Sequence, residues 1–330
     1  MNYRTLGSTG LKVSEIGFGS WAIGGRSEAA GEQWGWGDTP EADAIAAVQR
    51  ARDLGVNFFD TADVYGNGRS EEILGKALGP DWSNVLVASK AGNVVRHGKG
   101  AKDWTREHLT KSCEATLKRL KKDVIDVYQL HNPSAYDIRH FDWVDTMELL
   151  QKHGKIRFYG VSIFLPEEGI AVLGRGKGHV IQLGYNALRL EMQEEVIPLA
   201  QKKNFGIIAR VPLYYGLLSG KFKPDTTFAK DDHRSHTIGP MMSELVPRAE
   251  RVRELAGVVS GDAAAFARWS LKFILANPAI STVIPGARNP QQAESNCSAS
   301  DGGPLPAAQV EAVHKMWSGD PYLKALRTEL

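Results

Sequence analysis

The chain has 330 residues, with 40 Lys and Arg against 38 Asp and Glu, so no basic excess points to nucleic acid and no acidic tail is visible. Its two cysteines, Cys113 and Cys297, form neither a metal-like spacing nor a disulfide framework. The opening "MNYRTLGSTG" lacks the apolar core of a signal peptide and no run of about 18 apolar residues offers a membrane span, so a reducing, cytoplasmic setting is expected.

In chain order, residues 3–13, "YRTLGSTGLKV", read as a hairpin around a Ser-Thr-Gly turn. Next, Gly17-Phe18-Gly19-Ser20-Trp21-Ala22 fits the dinucleotide pattern G-x-G-x-x-G/A. That motif must open a helix, and no helical period starts here, so a glycine-rich loop after a first strand is expected instead. Residues 26–38 read as a loop. Thr39-Pro40-Glu41 reads as an N-cap, a first-turn proline and an early acid, opening a helix that runs to about Leu54 and stops at Gly55. The strand "NFFD" follows, Ser70 is expected to cap the helix "EEILGKAL", and the strand "NVLVASK" ends at Lys90.

Leu109, Cys113, Leu117 and Leu120 fall on one helical face, which makes Cys113 a packed thiol. The strand "VIDVYQL" ends at His131. Val144, Met147 and Leu150 mark a helix closed by Gly154, and the strand "IRFYGVS" reaches Ser162. A short helix from about Pro166 leads to the strand "VIQLGYN"; a helix around Val196 and Leu199 is expected to end at Gly206, before the strand "GIIARVP". A long polar segment, 219–246, breaks the rhythm. Phe266, Trp269, Phe273 and Ile274 then share a helical face before Pro278, "STVIPG" reads as the eighth strand, and helices near 290–296 and 306–317 finish the chain.

Strands alternating with helices, with no linker or composition break, predict an α/β fold: one (β/α)8 TIM barrel over residues 1–330, with an N-terminal β-hairpin and extra C-terminal helices. Chemistry in such a barrel gathers at the C-terminal ends of the strands. Asp60 ends the second strand, Lys90 the third and His131 the fourth, while Tyr65 lies in the loop after the second. A phenol with a pKa of about 10 is a poor acid at neutral pH. A neighbouring ammonium favours the phenolate and lowers that value. Asp60 would keep Lys90 charged, and His131 would bond the same oxygen as Tyr65. Each residue alone has a bland reading, as a turn or surface residue; four of them at neighbouring strand ends are hard to obtain by accident.

These residues, together with "GFGSW", "DTADVYG", "LKRLKKDVIDVYQLH", "GKIRFYGVS", "QLGYN", "PLYYGLLSGK" and "IPGARNPQQAESN", resemble the aldo-keto reductase superfamily over nearly the whole chain. The resemblance implies a catalytic tetrad of Asp60, Tyr65, Lys90 and His131, with Tyr65 as general acid in reducing an aldehyde or ketone to an alcohol. It implies NADPH as hydride donor, with contacts from Ser20, Trp21 and Asp60, and with Ser162 and Gln182 on the nicotinamide carboxamide. Arg210 would stack near the nicotinamide, and the run from Pro212, Leu213, Tyr214 and Gly216 to Lys221 would wrap the pyrophosphate. Arg234 would lie near the adenosine phosphate, and Gly286, Arg288, Gln292 and Asn296 would form the adenosine pocket. Arg288 suits a 2′-phosphate, which favours NADPH over NADH.

Three positions depart from the family pattern: Ile163 where relatives carry Asn, Arg210 where many carry an aromatic, and Ser295 where a Glu is usual. Trp34, Trp36, Tyr214 and Tyr215 are candidate walls for the substrate, fitting sugar-like and aryl carbonyls alike. Asp231, Asp232, His233 and His236 allow a metal reading, but a polar loop is more often solvated and no metal is expected. An alternative comes from relatives that act as cofactor-loaded regulatory subunits of potassium channels. Those lack the tetrad histidine, so His131 favours catalysis. The expected partner is a small carbonyl or alcohol, with no nucleic acid and no membrane; oligomeric state stays open.

Overall fold

The computed structural model of the chain describes residues 1–26, 28–29, 32–33, 35–79, 81–97 and 99–326, with the backbone alone at 28–29 and 32–33. Eight strands pair in chain order in a single parallel sheet: β1 (Phe18–Gly19), β2 (Phe58–Asp60), β3 (Leu86–Ala91), β4 (Ile125–His131), β5 (Ile156–Ser162), β6 (Val180–Gly184), β7 (Gly206–Arg210) and β8 (Thr282–Val283). Gly17 N donates to Val283 O at 2.8 Å and Gly19 N to Pro285 O at 2.9 Å, which brings the first strand back to the last and closes the barrel. Only glycine permits that approach at position 19, where a Cβ would lie 2.6 Å from the Ile284 carbonyl oxygen.

The helices follow the strands: α1 (Glu41–Asp53), α2 (Arg69–Ala77), α3 (Arg106–Leu120), α4 (Ala135–His140), α5 (Trp143–Lys152), α6 (Pro166–Arg175), α7 (Val196–Lys202), α8 (Met242–Leu255), α9 (Ala263–Leu275), α10 (Pro290–Cys297), α11 (Ala307–Gly319) and α12 (Pro321–Ala325). Strands covered on both faces need apolar residues on both, which is why they read as continuous apolar runs. The barrel interior holds Phe58, Ala88, Val127, Val180, Ile208 and Ile284, packed with Leu6, Leu11 and Val13. Those last three belong to the N-terminal hairpin, Tyr3–Thr5 paired with Lys12–Ser14. The hairpin therefore plugs the N-terminal end of the barrel and leaves the C-terminal end to polar groups. Among the described residues no helix is long and apolar enough to cross a membrane.

Several local readings need correction. Thr39 does not cap α1; Pro40 occupies the cap, and the Thr39 hydroxyl donates to Ala22 O at 3.2 Å. Ser70 lies inside α2 behind Gly68, and its buried hydroxyl donates to Ser20 Oγ at 2.6 Å. α7 stops at Lys202, and Gly206 opens β7, where a Cβ would lie 2.7 Å from the Leu6 side chain. The glycine serves strand packing against the hairpin, not helix termination. The polar segment ends inside α8, whose Leu245, Ala249 and Val252 are buried behind a charged outer face. A hairpin after β3, Asn93–Arg96 with Lys99–Lys102, also lies beyond the sequence reading.

Candidate active site

Asp60, Lys90 and His131 reach the same end of the barrel because their strands are neighbours and each sits at or next to its strand's C-terminus. Lys90 is 0% and Asp60 1% exposed. The Lys90 ammonium donates to Asp60 Oδ1 at 2.6 Å, to Thr61 O at 2.7 Å and to Tyr65 Oη at 3.3 Å. From across the barrel, Gln182 Nε2 donates to the other Asp60 oxygen at 2.7 Å. The Tyr65 ring meets the His131 ring edge-on, with centroids 5.8 Å apart, and stacks on Trp21 at 5.9 Å.

The electrostatics follow from burial. Desolvation pushes the Asp60 carboxyl up, against the pull of Lys90 and Gln182. Burial works against the Lys90 charge, yet Asp60 and Tyr65 together hold the ammonium above its ordinary range. For Tyr65 the sequence-based expectation was a lowered phenol. The net direction is upward, because burial outweighs the favourable charge of Lys90. The phenol is therefore protonated at neutral pH. His131 is held well below its ordinary range, first by burial and then by the charges of Lys90, Lys102 and Arg210, so its imidazole is neutral.

A cavity of about 1480 Å³ opens above this cluster, lined by Tyr65, Asp60 and His131 and extending to Arg288 and Asn296. That exceeds the ~300–1,000 Å³ of an ordinary ligand pocket. One row of its floor is set by register, since His131 pairs with Ser162 and Ser162 with Gln182. Among the described residues, Gln182 Oε1 and Arg210 Nε are buried with no hydrogen-bond partner. Trp21, Pro212, Leu213, Gly216, Lys221, Arg234, Gly286, Gln292 and Asn296 also line the cavity.

The Aldo/keto reductase family model matches residues 15–318. The chain belongs to the aldo/keto reductase family. It is 33% identical over 300 residues to Aldo-keto reductase YhdN of Bacillus subtilis (strain 168), covering 89% of this chain and 87% of that protein. It is 31% identical over 332 residues to a probable voltage-gated potassium channel subunit beta of Oryza sativa subsp. japonica, covering 94% of each. Among solved structures it is similar to the holo form of aldo-keto reductase AKR11C1 from Bacillus halodurans, with a TM-score of 0.78, 27% identity and 96% of each chain covered.

Within this family framework, some expected contacts fall elsewhere. Ser20 is fully buried outside the cavity lining; its hydroxyl donates to Asp60 O at 2.8 Å and so holds the strand end rather than a ligand. Tyr214 packs in the core, and its neighbour Tyr215 lines the cavity instead. Trp36 lines it as well, whereas Trp34 lies outside the described residues. Arg234 is engaged by the Asp232 carboxylate and lies 5.1 Å from the Trp36 ring centroid. In the same loop, Asp231 pairs with Arg26 and His233 Nδ1 bonds Gly35 O, and no three of the four candidate ligands are grouped so as to hold a metal ion. Lys221 and Arg288 line the cavity with no ion pair among the described residues.

Two of the three family departures, Ile163 and Arg210, have physical explanations, and Ser295 lines the cavity. Ile163 is fully buried, and a Cβ on Gly169 would lie 3.0 Å from its side chain, so it is a core residue. Beside Ser162 the cavity carries a different amide, Asn132, whose Oδ1 accepts from Ser162 Oγ at 2.9 Å. Sequence reading passed over Asn132, although its place directly after the strand-ending His131 was the available signal. Arg210 donates to Ile163 O at 2.9 Å and lies over the Phe164 ring, 4.6 Å from its centroid.

Proposed function

We propose that the chain is an NADPH-dependent reductase of aldehydes or ketones in which Tyr65 is the general acid. The observation that carries this reading is the Lys90 ammonium suspended between Asp60 and Tyr65, beside a neutral His131, at the floor of a large cavity. Tyr65 Oη gives its proton to the carbonyl oxygen as that oxygen takes on alkoxide character. Lys90 then stabilises the phenolate left behind. Asp60 and Thr61 O keep the ammonium aimed at Tyr65, and His131 hydrogen-bonds the same oxygen, fixing the carbonyl for attack. When bound, NADPH supplies the hydride that reduces the carbonyl carbon.

The residues suit that cofactor. The unpartnered Gln182 Oε1, with Ser162 and Asn132, offers hydrogen bonds to a carboxamide. Lys221 and Arg288 offer unneutralised charge to phosphates, and Arg288, beside Gln292 and Asn296, is a partner for a 2′-phosphate. Arg210, Trp21, Pro212, Leu213 and Gly216 would flank the nicotinamide and pyrophosphate, and Arg234 would lie near the adenosine phosphate.

A second reading, a cofactor-loaded regulatory subunit, is favoured by the similarity to the rice potassium channel subunit beta. His131 weighs against it, because a protein that only reports cofactor state has no need of a complete proton-transfer set. The deciding experiment is the loss of NADPH absorbance with a panel of aldehydes, ketones and keto-sugars. Turnover supports the reductase; tight NADPH binding without turnover supports the regulatory subunit.

A further inference from the structure

The proposed reaction leaves one side of the cavity unexplained. The hairpin after β3 contributes Asn93, Lys99 and Lys102 to the lining, on the side of the barrel opposite β7 and its cationic loop. Lys102 is exposed at the rim, but its ammonium turns inward, donating to Asn93 Oδ1 at 2.5 Å and to His131 O at 2.8 Å. Both acceptors are neutral. The adjacent carboxylate, Asp103, is taken by Arg96 at 2.5 Å and by Thr105. Among the described residues Asp60 is the one carboxylate lining the cavity, and Lys90 and Gln182 already hold it. The Lys102 charge thus faces the cavity with no ion-pair partner among the described residues. Its tether is the backbone of the residue whose imidazole would orient the substrate carbonyl.

We propose that the carbonyl substrate carries a carboxylate, and that Lys102 is the residue that selects it. This rests on the reductase reading above. Two of the three ammonium hydrogens are already used, so a single donor remains, which suits a monoanion better than a phosphate. The anion and the carbonyl would then sit within one residue's span, making the substrate a short oxo acid. Burial lowers the Lys102 ammonium to about 8, while Asp137 on α4, Glu168 on α6 and Asp63 after β2 act in the opposite sense.

The test compares succinic semialdehyde with its methyl ester, for the wild type, Lys102→Met and Lys102→Arg, by NADPH oxidation. The wild type is expected to prefer the acid about tenfold in kcat/KM, mainly through KM, as one charge-assisted hydrogen bond provides. Lys102→Met should collapse that ratio and Lys102→Arg should keep most of it. Above about pH 8 the wild-type KM should rise for the acid and not for the ester. Equal use of acid and ester by the wild type, or an equal loss on both in Lys102→Met, overturns the inference. So does a larger preference for glyceraldehyde phosphate over glyceraldehyde than for the acid over the ester. Failure to oxidise NADPH with any carbonyl is a different result, and it overturns the reductase reading itself.

Discussion

Lys90→Met removes the cation from a pair in which both side chains are at most 2% exposed. Asp60 keeps Gln182, but loses its counter-ion, and Thr61 O loses its donor. Breaking one side of a buried pair costs ~3–5 kcal/mol, most of it the uncompensated charge left behind. A chain of 330 residues unfolds with an entropy of ~0.7 kcal/mol/K, at ~2.1 cal/mol/K per residue, so the melting midpoint should fall by ~4–7 °C. The pH dependence gives an independent check. Without Lys90, burial holds the Asp60 carboxyl above its unfolded value of ~3.9. The folded state then binds more protons than the unfolded state above that value, so stability falls as pH rises. The variant should therefore lie closer to wild type near pH 5 than near pH 8. Adding Asp60→Leu, which removes the stranded charge, should recover much of the loss. Differential scanning calorimetry of the three proteins measures this. A midpoint shift under ~1.5 °C for Lys90→Met would refute the claim that the pair is buried and mutually dependent.

Asp63 is pushed up to about 7, first by burial and then by Glu71, so wild-type stability should fall as pH rises from ~4 towards that value. Asp63→Asn should lack this slope and gain on wild type near pH 8, as read by urea midpoints at acid and alkaline pH. In Gly160→Ala the new Cβ would lie 2.1 Å from the Val180 carbonyl oxygen, prising β5 from β6, and a loss of at least ~1–3 kcal/mol is expected. Gly174→Ala, with nothing within 4 Å of its Cβ, is the control and should be neutral or stabilising. Burial raises the thiols of Cys113 and Cys297 to about 12 and about 11, so native protein should resist thiol reagents near pH 8 and label at both positions once unfolded.

The barrel was legible because its signals are local and repeated. The strand "IRFYGVS" matches Ile156–Ser162 residue for residue, since every residue except the exposed Arg157 and half-buried Phe158 is buried and such a run has little choice of composition. Asp60, Lys90 and His131 stood out because polar residues closing apolar runs are costly unless used. The losses came where a residue's role depends on a distant neighbour. Ser20 and Ser70 look like a ligand contact and a cap, but they bond each other across 50 positions of sequence. Gly206 looks like a helix stop until Leu6 of the hairpin is seen against it. α8 was hidden because its charged face dominates the composition while its buried face is narrow. The Tyr65 phenol was misjudged for a related reason: a sequence shows the neighbouring ammonium, but not the depth of burial that opposes it.

The central claim is that the Tyr65 hydroxyl delivers the proton while its ring merely shapes the pocket. The direct measurement is single-turnover NADPH oxidation by Tyr65→Phe, alongside fluorescence titration of NADPH. The account predicts a rate lowered ~10²–10⁴-fold with cofactor affinity retained. Wild-type turnover from a chain that lacks the hydroxyl would contradict it.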